Sequence, residues 1–228
     1  TPGLASFEVA VRETDLRVRA GRDLRGRARE SVLRLRGDIE RWAASRPEFL
    51  SSLAPLPIPV SCPAVVREML AAGQAFDVGP MAAVAGAIAE GVGRDLLAFS
   101  AECIIENGGD LFVKLNRPAR IGLFAGETSP FSRRLKVVVD GGGDGLGVAA
   151  SSGVIGHSLS FGKADLVVAV ARNAAMADAA ATSICNRVRE PDDVARVVAS
   201  EREQGRLDGL VVILGSRIGL YGAIELAT

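Results

Sequence analysis

VAASSGVIGHSLSFGKADLVVAVARNAAMADAAAT, residues Val148 to Thr182, carries the change of pattern that decides the fold. It opens on a small-residue turn at Ser151, Ser152 and Gly153 and passes through a polar loop holding His157, Ser158 and Ser160. The continuous apolar run Leu166 to Val170 then reads as a strand, and Asn173 reads as the cap of an alanine-rich helix extending through Val188. Asp178 and Thr182, four apart, fall on one face of that helix.

Beyond it, Pro191 starts a second helix that stops near Gly205, and Leu210 to Leu214 and Leu220 to Leu226 read as strands joined across Gly215-Ser216-Arg217. Towards the N-terminus, strand-like runs occupy Ala101 to Glu106, Leu111 to Leu115, Arg120 to Ala125, Arg134 to Val139 and Gly147 to Ala150. Asn107-Gly108-Gly109-Asp110 separates the first two with strong turn signals, because both glycines admit positive backbone angles. The cluster Gly141-Gly142-Gly143-Asp144-Gly145 has no helix directly behind it and so does not read as a phosphate loop.

The N-terminal third begins with a hairpin, Phe7 to Val11 and Leu16 to Val18 across Glu13-Thr14-Asp15. Leu24, Ala28, Val32, Leu35, Ile39 and Trp42 then recur at helical spacing behind Asp23 as a candidate N-cap, with Gly37 a weak point. The arginines opposite that stripe read as a solvated face or an anion-binding strip. Four prolines between Ser51 and Pro63 forbid helix and mark an internal connector, and Pro63 suits the first turn of a helix to about Ala75. The helix opened by Gly79-Pro80-Met81 is slim, with Ala82, Ala83, Ala85, Gly86, Ala87 and Ala89, and so admits close approach of another backbone or of a ligand. Strands in runs, then paired helices, then strands give an α+β chain rather than a doubly wound parallel sheet. Residues 1–228 read as one domain with the connector at 51–63.

With 228 residues, 27 basic and 27 acidic, the chain has no global field favouring nucleic acid. Lys114, Lys136 and Lys163 are its three lysines, so arginine supplies the other positive charges. Cys62, Cys103 and Cys185 lack the paired spacing of zinc sites or disulfide frameworks and read as reduced, cytosolic thiols. No apolar run has the length of a membrane span, and Thr1 to Ala10 lacks a secretory pattern, although trimming ahead of Thr1 stays open.

Three groups of residues carry candidate chemistry. Asp178 and Thr182 offer hard oxygen ligands of the kind Mg²⁺ or Ca²⁺ takes, though such pairs also occur on ordinary helices. His157, the single histidine, titrates near neutrality and sits among small polar residues; it reads as a general acid or base or as a structural residue. Asn107 to Asp110 presents backbone amides, a side-chain amide and a carboxylate at a turn, which suits a phosphate or carbonyl ligand and equally a plain hairpin. Neither Ser158 nor Ser160 is identified as a nucleophile by order alone.

VGPMAAVAGAIAE (Val78 to Glu90), ENGGD (Glu106 to Asp110), SSGVIGHSLSFGKAD (Ser151 to Asp165) and ADAAATSICNRV (Ala177 to Val188) together resemble an uncharacterised cytosolic family of ApbE-related proteins, remote relatives of the ApbE flavin transferase. The resemblance implies a T-fold-like architecture of antiparallel sheets covered by helices. It implies that Asp178, Thr182 and the Ala82 carbonyl hold Mg²⁺, that Asn107, Gly108, Gly109 and Asp110 match the glycine-glycine-aspartate turn of ApbE, and that His157 lies about where ApbE has a histidine. The expectation built on it is that these turn residues with Ser151, Ser152, Gly153 and Ser158 line a site for FAD or another phosphate-bearing flavin nucleotide, with His157 the candidate proton-transfer group. Two departures stand out: the Asp-Pro-x-Thr-Gly motif of ApbE is replaced around Ser160-Phe161-Gly162-Lys163, and Ala83 stands where its glycine-rich helix has lysine. The family is further associated with sulfide assimilation into homocysteine beside an iron-sulfur partner. The leading expectation is a Mg²⁺-assisted cytoplasmic pocket protein; an active FAD:protein FMN transferase and a non-catalytic accessory to an iron-sulfur partner are the alternatives. Homo-oligomerisation stays open, and neither nucleic acid nor membrane is an expected partner.

Overall fold

The computed structural model describes residues 3–127, 129–132, 135–154, 161–222 and 225–227. An eight-stranded antiparallel sheet dominates it. The strands are β1 (Ala5–Val11), β2 (Thr14–Ala20), β3 (Cys103–Asn107), β4 (Asp110–Lys114), β7 (Leu146–Ser151), β8 (Leu166–Ala171), β9 (Gly209–Leu214) and β10 (Arg217–Gly222), paired in that order. β5 (Pro118–Gly122), β6 (Lys136–Asp140) and β11 (Glu225–Ala227) form a second, three-stranded antiparallel sheet in the order β11-β6-β5.

Side-chain alternation explains the layers. On β8, Val167, Ala169 and Ala171 join one core while Leu166, Val168 and Val170 join another, which is why this run is apolar without interruption. β9 repeats the division with Leu210 and Val212 against Val211 and Ile213. The first core lies beneath the helices; the second, with Val137, Val139 and Ala119, lies between the two sheets.

The helix layer consists of α1 (Arg25–Ala44), α2 (Glu48–Ser51), α3 (Ala64–Phe76), α4 (Val84–Leu96), α5 (Ala174–Arg187) and α6 (Asp193–Gln204). The expected α1 stripe is buried at Ala28, Val32, Leu35 and Ile39, with Trp42 partly buried. Asp23 acts from one position before the cap: Leu24 holds the cap backbone, and Asp23 Oδ1 accepts the Arg25 N–H at 2.9 Å. The proline-rich connector, whose first residue Ser51 still ends α2, reaches α3 without helix or strand and is tied by Gln74 Nε2, which donates to the Leu56 carbonyl at 2.9 Å. Between α3 and α4, Asp77 takes a left-handed φ of 56°, and the expected second helix opens on a 3-10 turn at Pro80–Ala83, the arm Pro80–Leu96 lying at 106° to α3.

Other boundaries moved. The expected strand Leu220 to Leu226 is broken at Gly222, whose φ of 92° ends β10 before the chain crosses to the smaller sheet as β11. The second C-terminal helix starts at Asp193 rather than Pro191, because Asp193 Oδ2 gathers the Arg189 and Glu190 N–H groups at its start. Asn173 does cap α5: its Oδ1 accepts the Met176 N–H at 3.1 Å.

Candidate functional site

The β3–β4 connection is a two-residue turn in which Asn107 pairs with Asp110, and Gly108 and Gly109 take φ of 67° and 128°. Nothing lies within 4 Å of where a Cβ would stand on either glycine, so their backbone faces open space. Asn107 is buried and donates from Nδ2 to the Ala85 carbonyl at 3.1 Å, which fastens the turn to the start of α4.

α5 meets α4 at the same point. A Cβ on Gly86 would stand 2.2 Å from the Ala174 carbonyl oxygen, so the slim helix serves close packing of helix on helix. That approach lets Asp178 Oδ2 accept the Gly86 N–H at 2.9 Å. On the other side, Gly147 of β7 leaves room for the Ala174 backbone, which would lie 2.3 Å from an added Cβ. The first turn of α5 is thereby held between α4 and the large sheet.

Two carboxyl groups meet here. Asp178 keeps partial solvent contact as a residue, yet desolvation pushes its carboxyl up to about 7 against the opposing pull of the Gly86 and Ala85 amides. Asp110 is raised well above the carboxylate range, first by desolvation and then by repulsion from Asp178, with the Ala150 amide acting the other way. Although Asp110 is also only partly buried as a residue, its Oδ1 is sealed from water and has no hydrogen-bond partner.

Asn107, Gly108, Gly109, Asp110, Ser151 and Ser152 all line one cleft of about 1550 Å³ that also runs along the smaller sheet. Small-molecule pockets usually hold about 300–1000 Å³, so this one is large enough for a dinucleotide-sized ligand. Asp178 is not itself a lining residue; it reaches this end of the cleft through Gly86, beside the lining residue Ala85, and its charge acts on Asp110. Thr182 lies one turn further along α5 and Ala82 in the 3-10 turn packed against α5, both partly buried and outside the cleft lining. Gly153 makes a backbone contact and is not among the cleft-lining residues: its N–H donates to the Ala164 carbonyl at 2.9 Å, and Gly162 fills the space a Cβ would need. His157, Ser158 and Ser160 lie outside the described residues.

Sequence reasoning missed two features. Arg17, Arg19, Arg117 and Arg120 line the cleft together with Glu8 and Glu106, and Arg17 stands 3.9 Å from both of those carboxylates. The outward alternation of Arg17 and Arg19 in β2 was the available signal. Glu90 is the other: 1% exposed, it accepts the Ala174 N–H through Oε2 at 2.5 Å and pairs with Arg94 through Oε1. A carboxylate in the small-residue stretch of α4 from Val84 to Gly93 was its trace.

An antiparallel mixed architecture with helices on one side and an inter-sheet cleft on the other defines an ApbE-like fold. The flavinyl transferase ApbE of Pseudomonas stutzeri superposes with a TM-score of 0.64 over 96% of this chain and 94% of that one, at 14% identity. The ApbE protein of Thermotoga maritima gives 0.56 over 97% and 96%, at 13% identity. In sequence, the family model described as AbpE bacteria matches residues 1–209, and the chain belongs to that family. Its relatives include a UPF0280 protein of Methanococcus aeolicus, 38% identical over 95% of this chain and 90% of that protein. Another, from Methanosphaerula palustris, is 41% identical over 86% and 81%. Among the described residues no single helix is long and apolar enough to cross a membrane.

Proposed function

We propose that the protein binds a phosphate-bearing ligand of the flavin nucleotide class in the inter-sheet cleft, with Mg²⁺ at the end where Asp110 and Asp178 meet. The observation that carries this is the sealed, unpartnered Oδ1 of Asp110, whose carboxyl is repelled by a second desolvated one at Asp178. Such an arrangement is costly by itself, because buried polar atoms normally have partners and neighbouring carboxylates resist joint ionisation. A divalent cation held at Asp178 offsets the repulsion between the two carboxylates, so the residues present fit the ion. Asp178, Thr182 and the Ala82 carbonyl would hold it, and the ion would supply positive charge to phosphate oxygens.

The chain's own groups account for the rest of the ligand. The open backbone of Gly108 and Gly109 allows phosphate or carbonyl oxygens to approach without a side chain intervening. Ser151 and Ser152 add hydroxyls on the cleft wall, while Leu123 and Phe124 offer an apolar surface to a planar ring. Ala83 carries only a methyl group, buried in the helix-side core, and presents no amine to the ligand. His157 is the candidate proton-transfer group.

Calorimetric titration of FAD into the full chain, with Mg²⁺ and with EDTA, tests the reading. Saturable binding is expected with Mg²⁺ and is expected to weaken at least tenfold in EDTA and in Asp178→Ala. Binding indifferent to both changes would overturn the assignment.

A further inference from the structure

We infer that Asp110 supplies a second carboxylate to the cation site of Asp178, so that the ion is held between the β3–β4 turn and α5 rather than on the α5 side alone. The inference rests on the proposed cation site and deepens it.

Three features of the structure lead there. Asp110 sits on the first residue of β4, directly after the two-glycine turn, where the strand register fixes it opposite Asn107. Asn107 in turn is bonded to Ala85, and Gly86 is bonded to Asp178, so a continuous chain of contacts sets the separation of the two acids. Finally, Asp110 Oδ1 is buried and lacks any protein donor, whereas the Asp178 carboxylate has the Gly86 amide. A carboxylate used only to close a hairpin would direct both oxygens to amides or water. One that leaves an oxygen sealed and unpaired, close enough to a second carboxylate to be repelled by it, is arranged for a hard cation.

A role in contacting only the nucleotide would leave the cation affinity of the empty protein untouched, and this separates the two cases. The probe is Mn²⁺ alone, titrated into the full chain and followed by the loss of the free-ion electron paramagnetic resonance signal, with Mg²⁺ as competitor. Asp110→Asn, Asp178→Asn and wild type are compared, together with the thermal midpoint of each protein with and without Mn²⁺. Asp110→Asn keeps the shape of the side chain and removes the repulsion, so its metal-free midpoint is expected at or above that of wild type. Its Mn²⁺ affinity is expected to fall at least tenfold, with loss of the midpoint gain that Mn²⁺ gives wild type. Should Asp110→Asn not fold, Asp110→Ser carries the same affinity comparison. Weakening in Asp178→Asn with wild-type affinity in the Asp110 variant overturns this inference and leaves the cation reading standing. Absence of Mn²⁺ binding by wild type overturns both.

Discussion

The amide of Gly86 and the Oδ2 of Asp178 are joined by a 2.9 Å hydrogen bond that runs from the start of α4 to the second turn of α5. A reciprocal bond lies close by, from the first amide of α5 at Ala174 to Glu90 Oε2 on α4. Each helix thus lends a carboxylate to an amide of the other. The position of Asp178 relative to the glycine turn follows from this double crossing, so changes at either bond are expected to act on stability and on ligand binding together.

Gly86→Ala separates this packing from ordinary helix propensity. In an exposed helix interior the substitution would stabilise by about 0.5–1 kcal/mol. Here the new Cβ would meet the Ala174 carbonyl oxygen at 2.2 Å, and backbone in a clamped helix cannot give way cheaply. The expected outcome is a net destabilisation of about 1–3 kcal/mol, the range for overpacking a close contact. Urea unfolding of both proteins measures it, and a more stable variant would show that the helices have room to part.

Glu90→Ala is expected to cost about 1–3 kcal/mol, because the buried Ala174 amide loses its acceptor. Glu90→Gln keeps a side-chain oxygen in place and should recover part of that loss, although the pairing with Arg94 is weakened. If glutamine and alanine prove equal in unfolding experiments, the bond to α5 is not what makes the residue important.

Much of this arrangement was readable from local pattern. The hairpin, the α1 stripe, the Asn173 cap and the Asn107–Asp110 turn depend on neighbours within a few positions, and each stands close to where its residues placed it. What escaped depends on partners distant along the chain. Nothing near Glu90 announces that its partner is Ala174, and nothing near Asp110 announces that its Oδ1 lacks one. Strand runs also do not say which sheet they join: Lys136–Asp140 and Arg217–Gly222 read alike, yet they belong to different sheets. The apolar double-sided character of β8 was visible as an uninterrupted run, while the cleft beside it required the smaller sheet to be in place.

Thiol labelling tests the packing of the large sheet against α4. Cys103 is fully buried on β3, with its Sγ 3.8 Å from the Gly93 carbonyl, and burial pushes the thiol up to about 12. Thiolate is the reactive form, so Cys103 should be inert to iodoacetamide in the native protein near neutral pH. Cys185 is buried as well, whereas Cys62 is only partly so. Mass spectrometry is expected to find native modification confined to Cys62, with all three labelled after denaturation; rapid native labelling of Cys103 would contradict the packing of β3 beneath α4.

Glu68 on α3 gives the stability a pH dependence whose sign can be worked out. Burial, then the nearby Glu90 carboxylate, raise it from 4.5 to about 6, while Arg94 pulls it down. The folded value therefore lies above the unfolded one. Between pH 4.5 and 6 the unfolded chain has released a proton that the folded chain retains, so the contribution of Glu68 to stability is lost as pH rises through that window and levels off above it. Solvent contact screens the effect to on the order of 1 kcal/mol. Glu68→Gln removes the ionisation, so its stability relative to wild type should increase across the window and then hold constant. Urea unfolding of the two proteins at a series of pH values measures the difference, and a difference that does not change with pH would mean that Glu68 titrates alike in the folded and unfolded chains.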